Sequence, residues 1–69
     1  MRIFVNGDQH DIEPATGAAT LALALNALGY GGKKIATAVN GRFVAAPARP
    51  KVELSDGDKI EVVAPMQGG

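Results

Sequence analysis

The sequence has no cysteine, one histidine, and two phenylalanines and one tyrosine as its aromatic residues among 69 positions. Without cysteine the chain cannot form a disulfide, a thiolate metal site or a cysteine nucleophile. Its single histidine, His10, argues against multi-histidine metal sites and a Ser-His-Asp triad. Seven basic and seven acidic residues balance, so the net positive charge that attracts nucleic acid or anionic lipid is missing. We expect neither nucleic acid nor membrane as a partner.

Length and targeting signals indicate one small domain. A chain of 69 residues has room for a single modest core. Polar residues follow Val5 before the apolar segment of a signal peptide could form. The low-polarity run from Gly17 to Leu25 is too short to span a bilayer. A cytoplasmic location and a monomeric free state are therefore expected.

Two Asn-Gly pairs and one Asp-Gly pair indicate tight turns. Asn6-Gly7 and Asn40-Gly41 suit two-residue hairpin turns, because both central positions of such turns have positive φ. Asp56-Gly57 precedes the segment with the clearest alternation of apolar and polar residues. The predicted strands are Arg2–Val5 and Gln9–Glu13 in a first hairpin, Ile35–Val39 and Arg42–Ala45 in a second, and Lys59–Ala64.

A short helix is predicted between the hairpins. Leu21, Leu25 and Leu28 recur at the spacing of one helix face. Thr20 is suited to cap the first turn, and Gly29 is suited to the position just beyond the last. The stretch after the fourth strand, with Pro47 and Pro50, is expected to be irregular.

These elements predict an α+β fold in which the helix covers one face of a mixed sheet of four to five strands. Phe4, Phe43 and Val63 are out of phase with the core positions, and we interpret them as an apolar patch for a partner on the open face. The predicted core partners of the helix are Ile3, Val5, Ile12, Val39, Val44, Ile60 and Val62.

Internal motifs give no specific chemistry. The glycine-rich stretch 29–34 fits no phosphate-binding motif and follows a helix instead of opening one, so a helix stop is the better interpretation. His10 with Asp8 and Asp11 makes a poor metal site. Asp56 and Asp58 are interpreted as turn residues. No general acid–base pair emerges, so an enzyme is the least favoured class.

The chain closes on Gly68-Gly69, shortly after the last predicted strand. We expect a folded domain over residues 1–64 and a flexible C-terminal tail over residues 65–69. A tail without Cβ atoms at its end can pass through a narrow opening and bring a carboxylate into another protein's active site.

Taken together, the two Asn-Gly turns, the leucine helix after Thr20, the segment Leu54–Glu61 with its L-x-D-G-D-x-I-E pattern and the final Gly-Gly resemble the ThiS-type sulfur carriers of thiamine biosynthesis. These are ubiquitin-like proteins of the β-grasp fold. The resemblance covers essentially the whole chain. Pro65 is similar to the related small subunit of molybdopterin synthase, but the compact length favours the thiamine carrier.

The resemblance implies a protein that serves as a co-substrate and binds no cofactor or metal itself. A ThiF-like adenylating enzyme would use ATP to activate the Gly69 carboxylate, and a sulfur donor would convert it to a thiocarboxylate. A ThiG-like thiazole synthase would then take the sulfur into the thiazole ring. Gly68 would allow passage of the tail, while Phe4, Phe43, Val63 and Met66 would contact the partners.

Three alternatives remain open. The same thiocarboxylate could supply sulfur to molybdopterin, cysteine or tRNA. The activated glycine could instead form an amide with a target lysine, as in a protein modifier. A plain β-grasp binding module would have no use for the glycines.

Overall fold

A five-stranded sheet with one α-helix makes up the computed structural model, which describes residues 1–13 and 19–64. The strands are β1 (Arg2–Val5), β2 (Asp8–Asp11), β3 (Ala36–Val39), β4 (Arg42–Val44) and β5 (Lys59–Val63), and the helix α1 is Leu21–Ala27. A 3₁₀ helix covers Ala46–Lys51. The strand order is β2-β1-β5-β3-β4, with β1 and β5 parallel and every other pair antiparallel. The predicted mixed α+β sheet with one helix is confirmed.

Both Asn-Gly pairs form the predicted two-residue turns. Asn6 and Asn40 have φ of 51°, and the following Gly7 and Gly41 have φ of 87° and 84°. Positive φ at both central positions is the requirement of a type I′ hairpin, whose twist matches that of the flanking strands. The turns therefore bring β1 against β2 and β3 against β4 in fixed register.

Helix α1 has the predicted capping residue at its start and the predicted glycine just beyond its end. The Thr20 hydroxyl accepts a hydrogen bond from the amide of Leu23 at 3.2 Å. At the other end Gly29 has φ of 92° and donates to the carbonyl of Asn26, while Tyr30 donates to the carbonyl of Leu25. This pair of bonds is a Schellman motif, in which glycine alone takes the left-handed position without strain. The glycine-rich stretch is thus a helix stop.

The core lies between α1 and the covered face of the sheet. Leu21, Ala24 and Leu25 of the helix are buried against apolar side chains from four strands and from Leu54. Six of the seven predicted core partners are buried, whereas Ile12, which follows the last residue of β2, is half-buried. Buried residues of the sheet are Ile3, Val5, Thr37, Val39, Val44, Ile60 and Val62.

Two local predictions were wrong. Strand β2 begins at Asp8, one residue earlier than expected, because a two-residue turn pairs Val5 directly with Asp8. It ends at Asp11, which pairs with Arg2 at the start of β1. The stretch predicted to be irregular is the 3₁₀ helix. Pro47 is tolerated in its first turn, where the missing N–H has no partner to lose, whereas Pro50 lies inside the helix.

Strands β3, β4 and β5 also differ from the predicted strands at their ends. Ile35 lies before β3, and Ala45 and Ala64 lie after β4 and β5. The proposed boundary at residue 64 stays a prediction, since the tail lies outside the described residues.

Candidate functional site

Strand β5 leads directly to the C-terminal tail, and its end is the described part of the candidate site. Gly68, Gly69 and Met66 lie outside the described residues. Strand β5 is central in the sheet, paired with β1 on one side and β3 on the other. Ile60 and Val62 point into the core, so the strand that carries the tail is anchored by burial.

The open face of the sheet holds an exposed apolar depression beside the end of β5. Phe43 is 72% exposed and Val63 is 62% exposed. Register places Phe43 opposite Ala38, and Val63 opposite Ala36, so all four side chains share the open face. Small alanines between the two large side chains leave a shallow depression, which Glu61 borders. We name this surface the Phe43–Val63 depression.

Phe4 lies in a different place on the same face. It is half-buried and pairs with Lys59 of β5. Two strands, β5 and β3, separate its strand β1 from β4, which carries Phe43. It lines a second cavity, of about 430 Å³, with Gly7, Asn40 and Gly41 from the two hairpin turns. Glu61 borders both cavities. The three apolar residues were predicted to form one patch. Instead, Phe4 lies on one surface and Phe43 and Val63 lie on another, with charged residues of β5 between the two surfaces.

A third pocket is an open depression of about 440 Å³, lined by Lys33, Lys34 and Arg49 together with Val63. Arg49 is held in place: its Nε donates to the Thr37 hydroxyl at 3.0 Å and an Nη donates to the carbonyl of Ile35 at 2.6 Å. The Thr37 hydroxyl in turn donates to the carbonyl of Val44 at 2.8 Å. Arg49 therefore attaches the 3₁₀ helix to β3, a role that sequence reasoning missed.

Asp58 serves the turn before β5, as predicted, because its carboxylate accepts from the amide of Ser55 at 2.7 Å. Asp56 lies in the same turn, but its carboxylate accepts from the amide of Arg2 at 2.6 Å and so joins the turn to β1. His10 is half-buried on β2 opposite Ile3. Among residues 1–13 and 19–64, no group of three metal-ligating side chains lies together. No helix in that same part of the chain has the length and apolarity needed to cross a membrane.

Sequence reasoning also missed what the side chains of the turn asparagines do. Asn6 exchanges two hydrogen bonds with the backbone of Val62. Asn40 accepts from the amide of Lys59 and donates to Asp58. The Asn-Gly pairs signal the turns themselves, but contacts to a strand far away in sequence leave no local pattern.

Comparison with solved structures places the fold among proteins of thiamine biosynthesis. The crystal structure of a thiamine biosynthesis protein (ThiS) from Geobacter metallireducens superposes with a TM-score of 0.80 at 26% identity, over the full length of both chains. The solution structure of a thiamine biosynthesis protein from the same organism gives a TM-score of 0.76 at 26% identity, covering 100% of this chain and 88% of that one.

Sequence comparison gives two further matches. A thiazole synthase of Paramagnetospirillum magneticum is 30% identical over 69 residues, and the chain spans about a fifth of that relative's length. The model of the ThiS family matches residues 3–69, which include the five residues of the tail. Its coverage of nearly the whole sequence, together with the shared fold, shows that the chain belongs to the ThiS family.

Proposed function

We propose that this chain is a sulfur carrier whose reactive group is the Gly69 carboxylate and whose sulfur is used to form a thiazole. The observation that carries the proposal is the family match across residues 3–69, because it includes the Gly68-Gly69 end. The similarity to a thiazole synthase supports thiazole formation as the use of the sulfur.

The chemistry follows from the poor reactivity of a carboxylate. A partner enzyme would join the Gly69 carboxylate to AMP, with pyrophosphate released from ATP, and so give the acyl carbon a good leaving group. A sulfur donor would displace AMP and leave a thiocarboxylate. In this scheme the chain binds no cofactor, since ATP and the donor belong to the partner.

The folded domain would recognise the partner, and the tail would enter its active site. The Phe43–Val63 depression lies beside the end of β5, so a partner seated there would be close to the start of the tail. Phe43 and Val63 line the same depression, and contiguous exposed apolar surface marks contact sites, whereas single exposed apolar side chains are ordinary. We include Phe4 and Met66 in the proposed contacts, and Gly68 as the residue that allows passage.

The proposed partners are a ThiF-like adenylating enzyme and a ThiG-like thiazole synthase. The first supplies the activation that the scheme requires. The second is supported by the thiazole synthase relative, although that protein is about five times as long as this chain. No residue among those described is assigned a catalytic role of its own.

Intact-mass analysis tests the proposal. The full chain, shown first to carry a free Gly69 carboxylate, is incubated with adenylating enzyme, ATP and a sulfur donor. We expect a mass gain equal to the exchange of one oxygen for sulfur, and no gain in a variant that lacks Gly69. Because the tail follows the last buried residue of β5, both proteins should unfold at the same temperature.

Other outcomes would contradict the proposal in defined ways. A covalent conjugate with another protein would favour a protein modifier. If thiazole synthase did not consume the thiocarboxylate, and its sulfur went to molybdopterin, cysteine or tRNA, the chain would be a sulfur carrier for a different acceptor. Equal function of the chain without Gly69 would favour a binding module.

A further inference from the structure

Asn6 makes two hydrogen bonds that its turn does not need. Its Oδ1 accepts from the amide of Val62 at 2.8 Å, and its Nδ2 donates to the carbonyl of Val62 at 3.1 Å. The two residues are 56 positions apart in the sequence. These bonds therefore join the first turn of the chain to the end of its last strand.

The side chain of Asn6 replaces a strand residue that is missing from β1. Parallel pairing between β1 and β5 ends at Val5 and Ile60, and the amide of Asn6 then donates to the carbonyl of Ile60 at 2.9 Å. Beyond this point the chain turns back into β2, so no backbone of β1 faces Val62. The carboxamide offers one acceptor and one donor, the same groups as a peptide unit, and satisfies both polar groups of Val62.

We propose that Asn6 is a positioning residue for the activation of Gly69, because its carboxamide holds the end of β5 and so the point from which the tail leaves the sheet. The inference rests on the proposed function. Val62 is the last residue of β5 with polar groups toward β1, and Val63 is the last one paired with β3. Five residues span at most about 17 Å, so a movement at the end of β5 changes which positions Gly69 can reach.

Placement of the reacting carboxylate is sensitive to such movement. Reacting atoms must lie about 3–3.5 Å apart in a favourable orientation before the chemical step. Loss of the Asn6 bonds should therefore slow the reaction of the bound chain without weakening the contacts of its folded surface.

Asn40 provides a matched control within the same protein. It occupies the same position in an identical Asn-Gly turn, with the same φ of 51°. Its side chain also contacts β5, but at the other end, where its Oδ1 accepts from the amide of Lys59 at 3.0 Å. Asn6 thus holds the end of β5 and Asn40 holds its beginning.

The test compares Asn6→Gly with Asn40→Gly in the full-length chain. Glycine keeps the positive φ and removes the side-chain bonds. We expect amide hydrogen exchange at Val62 to accelerate about tenfold in Asn6→Gly and to stay unchanged in Asn40→Gly. With the adenylating enzyme, kcat for Asn6→Gly should fall about fivefold to tenfold while KM for the carrier is unchanged. Asn40→Gly should retain both constants.

A second variant, Asn6→Asp, keeps an acceptor for the Val62 amide but places a carboxylate oxygen against the Val62 carbonyl, so its kcat should also fall below that of the parent chain. Unchanged exchange at Val62, or equal kcat for both glycine variants and the parent chain, would overturn the inference. An equal loss in the two glycine variants would also overturn it, because that result indicates a general effect on stability. Failure of the parent chain to be adenylated would overturn the proposed function, while exchange at Val62 would still decide whether Asn6 holds the end of β5.

Discussion

The two faces of the sheet differ in composition although they share the same strands. Along β5, Ile60 and Val62 point into the core, while Lys59, Glu61 and Val63 point to the open face. The covered face is apolar except for Thr37 and is packed against α1. The open face mixes the Phe43–Val63 depression with charged positions.

This difference separates stability from recognition. Burial of apolar area gives the covered face most of the stability, since it removes that area from water. Exposed side chains of the open face contribute little to folding, and they are free to be selected for contact with a partner. Substitutions on the covered face should therefore lower the free energy of unfolding, whereas substitutions on the open face should weaken partner binding and leave stability nearly unchanged.

The largest loss of stability is expected from Ile60→Ala on the covered face. Ile60 is 1% exposed at the centre of the core. Removal of its side chain beyond Cβ should lower the free energy of unfolding by about 2–5 kcal/mol, because the cavity is filled only in part. Denaturant unfolding measures the change. A loss below about 1 kcal/mol would contradict the assigned packing.

A smaller loss is expected at the one buried polar side chain among the described residues, Thr37, which is 2% exposed. Thr37→Val keeps the shape but removes the hydroxyl that accepts from the Nε of Arg49 and donates to the carbonyl of Val44. We expect a cost of about 1–3 kcal/mol in the free energy of unfolding.

A double-mutant cycle with Arg49→Met separates this network from simple burial. The two substitutions should be coupled by more than about 0.5 kcal/mol, because both remove the same hydrogen bond. Additive effects in denaturant unfolding would show that Arg49 does not attach the 3₁₀ helix to β3 through Thr37.

The smallest effect on stability, and the largest on recognition, is expected from Phe43→Glu on the open face. The free energy of unfolding should change by less than about 1 kcal/mol, because the side chain is already exposed. Affinity for the adenylating enzyme should fall about tenfold or more, as a charge enters the proposed contact.

Leu23→Glu is the control for this substitution. Leu23 is 54% exposed on the helix, away from the open face of the sheet. Binding measured by calorimetry should be unaffected in this variant. Equal losses in both variants, or no loss in Phe43→Glu, would reject the Phe43–Val63 depression as the docking surface.

Much of the fold could be predicted because its signals are local. The Asn-Gly pairs indicate turns through the φ values they tolerate, and the spacing of Leu21 and Leu25 indicates a helix face. The 3₁₀ helix could not be predicted in the same way, because Pro47 and Pro50 suit an irregular segment equally well. Arg49 of this helix contacts Thr37 of β3, and a contact between residues from different elements leaves no local pattern.

The candidate site shows the same division. Alternation along each strand correctly placed Phe4, Phe43 and Val63 on one face. Their arrangement on that face depends on strand order, which puts β5 and β3 between Phe4 and Phe43. The alternation of apolar and polar residues within a strand carries no information about which strands are neighbours. The sequence therefore predicted one patch where the structure has two surfaces.

By itself the sequence determined the turns, the capped helix, the apolar periodicity and the family resemblance, all of which depend on residues close together in the chain or on their order. The tertiary structure alone decided that the carboxamide of Asn6 meets Val62 and that Arg49 meets Thr37. A hydrogen bond requires its partners within about 3 Å, and for residues far apart in sequence that proximity exists only after the sheet has formed.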